Sequence, residues 1–163
     1  MGVPRGWRLL GRAPEHYTVE TRAPGTATLR SRVDAPRGFG TLMQTFSADD
    51  VRGRRLRLSA TVETRGVRHW SGLWMRVDGA RKRILAFDNM QDRPLVGDTA
   101  PTRHAVVLDV PDAARAVAFG VILDGAGEVS IGAVAVEVVG ADVPTTDALR
   151  ELRAGPQNLD FAE

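Results

Sequence analysis

Apolar and polar positions alternate with a period of two along most of the chain, and no stretch of its body settles into a sustained helical repeat. The clearest run is 54–63. There Leu56, Leu58, Ala60 and Val62 fall on one face, and Arg55, Arg57, Ser59, Thr61 and Glu63 on the other. That pattern predicts a half-buried strand of an antiparallel sheet. Residues 26–33 alternate in the same way, and so do 104–110, where His104, Val106, Leu108 and Val110 share a face. Val117, Phe119, Val121 and Leu123 mark a further strand. Residues 39–46 and 129–139 are β-prone, the latter with an irregularity expected near Gly132 and Ala133. Turn signals separate these runs at Pro24-Gly25, Pro36-Arg37-Gly38, Pro111-Asp112 and Asp124-Gly125-Ala126-Gly127. Ser47 can cap a single helical turn that ends at Arg52-Gly53. Residues 1–25 read as an entry segment with at most one short strand, over 17–21.

The stretch 69–92 is the most distinctive. Leu73, Met75 and Val77 form an aliphatic face suited to a core, while Trp70, Trp74 and Arg76 point the other way. Asp78-Gly79 is a strong turn signal, Arg81-Lys82-Arg83 sits at a solvated tip, and residues 84–89 return. This predicts a β-hairpin, with residues 64–68 and Gly66 turning the chain into it. Residues 93–103 hold two prolines, a glycine and little periodicity, so a long loop is expected.

Seven to nine short strands and almost no helix predict an all-β fold: an antiparallel β-sandwich of jelly-roll type over residues 1–143. A βαβ arrangement lacks the helices it would need. Residues 144–163 change character. Residues 148–153 read as a short helix stopped by Gly155-Pro156, and 158–161 as a last short strand or tail.

At 163 residues one domain is expected, with a sizeable core. There is no cysteine, so disulfides, thiolate chemistry and cysteine-type zinc sites are excluded, and the composition suits a reducing cytoplasm. The opening MGVPRGWRLL has no continuous apolar stretch of the kind a signal peptide needs. Gly6 stands where a myristoylation signal wants Ser or Thr, and no apolar run approaches the length of a membrane span. The 22 basic residues include one lysine, Lys82, so the pI near 9.9 reflects arginine more than the formal charge of +2. Arginines are interleaved with acids, which speaks against direct nucleic-acid binding.

The segments GLWMRVDG, LAFDNMQDRPLVGDT, VVLDVPDAARAVAFGVILDGAGEV and VEVVGADVPTT resemble a bacterial jelly-roll domain found alone or attached to AraC-type helix-turn-helix regulators. That domain is similar to galactose-binding-like and carbohydrate-binding-module folds. The resemblance runs from Gly6-Trp7 to Thr146 and implies a fold without a single agreed activity. Ser130 and Gly132-Ala133 stand where the family commonly shows a Trp and an acidic pair in its last strand. In carbohydrate-binding jelly rolls an Asp in that strand often helps hold a structural calcium. No metal or cofactor is therefore expected. The segment 156–161 resembles the start of many such domains, yet here it comes at the end.

The candidate ligand-binding residues are Trp70, Trp74, Arg76, Asp88, Arg93 and His104. Exposed rings stack on sugars and other flat ligands, and charged groups bond their hydroxyls. The competing reading makes the tryptophans core and covers them with 93–103. Asp88 has two readings: near Arg76 across the hairpin it joins a polar pocket floor with Arg93, or it forms a buried ion pair that pins the chain at Arg93-Pro94. His16, His69 and His104 lack metal-binding spacing. No G-x-S-x-G elbow occurs, and no helix follows Gly125-Ala126-Gly127 to make a phosphate loop. Three functions fit. The first is a non-catalytic module for a small, carbohydrate-like or metabolite ligand. The second is a cyclase, isomerase or lyase using Asp88 or His104 as acid or base beside Trp70, Trp74 and Phe87. The third is an effector or oligomerisation domain of a regulator, which would form a homodimer.

Overall fold

The computed structural model describes residues 2–22 and 24–147. Among the described residues nine strands appear in chain order: β1 (Arg8–Gly11), β2 (Tyr17–Arg22), β3 (Thr26–Ser31), β4 (Gly40–Ser47), β5 (Arg55–Asp78), β6 (Ile84–Asp88), β7 (Leu95–Asp109), β8 (Ala116–Asp124) and β9 (Glu128–Val139). Every pairing is antiparallel. The strands make two layers that share β5. In its first part β5 lies between β7 and β9, and the order β7-β5-β9-β3-β2 forms one layer. From Trp70 onward β5 pairs with β8, and at Met75–Asp78 with β6, so β1-β4-β8-β5-β6 forms the other. The fold is thus the expected β-sandwich.

The shared strand follows from the sequence once its length is weighed. Twenty-four residues of strand would reach about 80 Å if straight. A domain of this size has a radius of gyration of only about 15 Å, so the strand has to fold over. It does so at Gly66, which takes a left-handed φ of 59° with open space where a side chain would stand. The turn expected over 64–68 is therefore a bend within one strand and does not reverse the chain. Hydrogen bonding explains why: β7 bends alongside. Thr64 Oγ1 bonds Thr99 Oγ1 at 2.8 Å and donates to Gly97 O at 3.0 Å, and the Gly66 N–H donates to Asp98 Oδ1 at 2.7 Å.

The loop expected over 93–103 is corrected for the same reason, since from Leu95 it belongs to β7. Its irregular sequence matches irregular pairing. The register skips between Val62↔Thr102 and Thr64↔Thr99, which leaves Pro101 in a bulge, and β7 is an edge strand, where proline is tolerated. β1 lies in the expected entry segment and has no strand signal of its own. RLLG is too short to show a period, and its pairing of Leu9 with Leu42 is a tertiary contact. The irregularity in β9 is a bulge with Ala133 at φ 48°. Ser47 and Arg52 bound a single turn in which the Arg52 N–H reaches Ala48 O at 3.1 Å.

Leu56, Leu58, Ala60 and Val62 face the core from one half of β5, and Leu73, Met75 and Val77 from the other; none is more than 1 % exposed. Full burial of each large aliphatic side chain contributes about 1.5–3 kcal/mol. One seam between the layers is crossed by Thr146 and Asp147. The Thr146 N–H donates to Val107 O at 2.8 Å, and Asp147 Oδ1 accepts the Phe87 N–H at 3.2 Å. The helix expected over 148–153 and the strand or tail over 158–161 lie outside the described residues.

Candidate functional site

Alternation along β5 sends Leu73, Met75 and Val77 into the core, so Trp70, Gly72, Trp74 and Arg76 face the outer side of the second layer. A hollow of about 500 Å³ opens there. Trp70, Trp74 and Arg76 line it together with Thr41 and Met43 of β4, Ile122 of β8, Phe87 of β6, and Asn89 and Gln91 beyond it. The three hairpin residues singled out in sequence thus border one cavity.

Trp74 forms its floor and is 6 % exposed. The indole N–H donates to Thr41 Oγ1 at 2.8 Å, and that hydroxyl donates in turn to Val121 O at 2.8 Å. This chain satisfies every polar atom and fixes the ring plane. Trp70 is half-buried and stands beside it. Gly72 lies between the two rings on the same face. A Cβ there would come within 3.0 Å of Asn89 O and 2.9 Å of Met90 Cβ, so only glycine lets the 89–91 segment close over the strand and bring Asn89 and Gln91 to the cavity.

Arg76 lies at the opposite end. Its Cζ is 5.8 Å from the Trp74 ring centroid, a cation–π distance. The guanidinium grips Asp78, two residues along the same face, through Nε to Oδ1 at 2.8 Å and Nη2 to Oδ2 at 3.0 Å. Arg76 is therefore held in place while about a third of its side chain stays accessible. The cavity offers two indole rings, the phenyl rings of Phe39 and Phe87, an oriented cation, two carboxamides and the Asp124 carboxylate.

Asp88, Arg93 and His104 lie elsewhere. In the β5–β6 ladder Asp88 stands opposite Met75, and Arg76 opposite Phe87. Of the two readings of Asp88, the buried ion pair with Arg93 is the one observed, and the pocket floor shared with Arg76 is not: a one-residue step along a strand changes the face. Asp88 is 1 % exposed and is held by Arg93 through Nη2 to Oδ2 at 2.5 Å, with a further bond to its Oδ1 from the Met90 N–H at 3.1 Å. Arg93 also bonds Asp92 and donates to Ala105 O at 3.2 Å. Burial on its own would lower the Arg93 pKa, but Asp88 and Asp92 outweigh it and the net shift is upward. His104 sits opposite Ala60 on the core side of β7. Burial, and then the charge of Arg93, lower its pKa below the ordinary value, so it is neutral near pH 7. Asp88 and Arg93 tie the end of β6 to Ala105 of β7, and none of the three residues borders the tryptophan cavity.

Sequence reasoning missed Thr41, Met43, Ile122 and Gln91. The first three lie on strands whose outward faces are legible, but which strands neighbour β5 is a matter of topology. Gln91 reaches the cavity only because Gly72 allows the close approach.

No family model matches the chain. It is 42 % identical over 168 residues to the uncharacterised HTH-type transcriptional regulator YbfP of Bacillus subtilis, a match that takes in 98 % of this chain but 57 % of that protein. Among solved structures, the CBM22-1 xylan-binding domain of Paenibacillus barcinonensis Xyn10C superposes with a TM-score of 0.56 at 12 % identity, covering 86 % of this chain and 90 % of that one. The C-terminal family 22 carbohydrate binding module of Clostridium thermocellum Xyn10B gives 0.55 at 14 % identity, with 86 % and 89 % covered. The enzymatically active domain of bacteriophage CBA120 tailspike protein 4 gives 0.61 at 17 % identity over 83 % of this chain and 20 % of that one. The chain thus has the β-sandwich fold of carbohydrate-binding modules, and it resembles in sequence about half of a transcriptional regulator.

Proposed function

We propose that the chain is a non-catalytic binding module that takes a small, carbohydrate-like ligand on the outer face of its second layer. The observation that carries this reading is the convergence of Trp70, Trp74 and Arg76 on one hollow of about 500 Å³, a size suited to one or two sugar rings. A pyranose has one apolar face and a rim of hydroxyls. The half-buried Trp70 ring offers a stacking surface, while Arg76, Asn89 and Gln91 offer bonds to the rim. The two modules named above, a xylan-binding domain and a carbohydrate binding module, share the fold, which supports the class of ligand. The enzyme reading lacks such support, because Asp88 is occupied by Arg93 and neither Asp88 nor His104 borders the cavity.

The test is a titration with monosaccharides and with xylo- and cello-oligosaccharides, read by calorimetry and by the indole N–H resonances. Trp70→Ala is the informative substitution, because Trp74 is built into the layer. It should weaken binding roughly ten- to a hundredfold, the worth of burying one large apolar side chain. If no saccharide produces heat or moves the Trp70 indole signal, the proposal fails.

The likeness to part of an HTH-type regulator favours a second, compatible role: a sensory module whose ligand state is read by a DNA-binding partner domain. Joined to such a domain, the module should alter DNA affinity on ligand addition, and Trp70→Ala should abolish the alteration.

A further inference from the structure

The arginines that alternate with acids along the sequence are not evenly shared out by the fold. Some find a carboxylate: Arg30 pairs with Glu128, Arg55 with Asp109, Arg57 with Glu137, Arg76 with Asp78 and Arg93 with Asp88. At the β5–β6 end of the second layer several of them gather in one place. Arg52, Arg81, Arg83 and Arg115 line a second hollow, of about 720 Å³, separate from the tryptophan cavity. Arg52 pairs with Asp49 at 2.9 Å and donates to Ala114 O at 2.7 Å. Arg81, Arg83 and Arg115 make no ion pair and no side-chain hydrogen bond among the described residues. One carboxylate, that of Asp112, belongs to the wall.

Three separate segments bring these cations together, and the backbone fixes each. The Arg115 N–H donates to Asp78 O at 2.7 Å, the Gly79 N–H to Arg83 O at 2.7 Å, and the Ala48 N–H to Arg115 O at 3.0 Å. The hairpin tip itself is strained. Arg81 and Lys82 take consecutive left-handed conformations, φ 54° and 59°, where glycine or asparagine would sit at lower cost. Leu85 adds apolar surface to the wall, and Gly79 lets it approach, since a Cβ there would stand 3.0 Å from Leu85 Cδ1.

We propose that this hollow binds a phosphate group carried by a small molecule. A guanidinium presents a planar fork of donors that matches tetrahedral and planar oxyanions, and several unpaired forks around one concavity favour a doubly charged group. The concave shape selects a small ligand over a nucleic-acid backbone, which calls for a stripe of cations along an extended face. The ligand's uncharged part would rest against Leu85.

The test uses the full chain and labelled amides. Inorganic phosphate, pyrophosphate and glucose 6-phosphate, with glucose as the uncharged control, are titrated at fixed ionic strength. Inorganic phosphate and pyrophosphate should shift the Gly79, Arg83 and Arg115 amides saturably and leave the Trp70 indole unmoved; glucose 6-phosphate should shift the same three amides, and glucose should leave them unmoved. The double substitution Arg83→Gln with Arg115→Gln should weaken pyrophosphate binding by about tenfold or more. Arg57→Gln, which removes a surface cation already paired with Glu137, should leave it unchanged. All the substituted residues are exposed or partly so, and an unaltered thermal midpoint verifies the fold. The proposal is overturned if no phosphate binds saturably, if Arg57→Gln weakens binding as much as the double substitution, or if a DNA duplex competes for the same amides more tightly than pyrophosphate.

Discussion

Asp88, at 1 % exposure, fixes the Arg93 guanidinium five residues further on, and His104 bears the consequence. The imidazole is partly buried close to a fixed guanidinium, and both effects disfavour a proton in the folded state. In the unfolded chain the same group titrates near its ordinary value of about 6.5. The folded protein therefore binds fewer protons than the unfolded chain across this window. The stability tied to neutral His104 is present above about pH 6.5 and is lost as the pH falls through the lowered folded value. His104→Gln is neutral throughout and removes this term. Its denaturation midpoint should fall less than that of the parent between about pH 7.5 and 5.5. Parallel midpoint-versus-pH curves for the two proteins would show that His104 is not the group responsible. At this scale the sequence was informative where a single strand's alternation decides the matter, as for Trp70, Trp74 and Arg76. It was uninformative where a partner decides. Nothing local says that Trp74 bonds Thr41, or that Asp88 turns from Arg76 to Arg93.

Among the elements, β5 shows both how far pattern reading reaches and where it stops. Both of its halves were legible as strands with the correct buried faces, since Leu56 to Val62 and Leu73 to Val77 each keep strict period two. Their continuity was not, because Gly66 signals a turn whether the chain reverses or merely bends. The neighbouring strand decides between these, through Thr64, Asp98 and Thr99, and the first part of β7 looked like a loop because it bends in step. If the bend depends on the left-handed backbone, Gly66→Ala should cost about 1–2 kcal/mol although its Cβ would meet no atom. Urea denaturation measures this. A neutral result would mean that the strand can bend there in an ordinary conformation, and the role given to Gly66 would be lost.

A sandwich has two seams, and an open seam leaves edge strands free to pair with other chains. Here the edges β6 and β7 meet at one seam, and Thr146 and Asp147 cross it. The Val107 N–H donates to Thr146 Oγ1 at 2.9 Å, while Val107 O accepts the Thr146 N–H. One threonine thus occupies both backbone groups that Val107, in register with Arg57 of β5, turns away from its own sheet. The boundary expected at residue 143 came from a change in composition, which cannot register such contacts. Thr146 and Asp147 are thus held between Val107 of β7 and Phe87 of β6. Thr146→Val keeps the shape and removes the acceptor, leaving the Val107 N–H without a protein partner at a cost of about 1 kcal/mol. Amide exchange at Val107 should quicken by about fivefold, while that of Leu58 and Val121, deep in the two layers, stays as it was. Unchanged exchange at Val107 would show that the seam closes without this residue, and the 144–147 segment would then be a passenger on the sandwich.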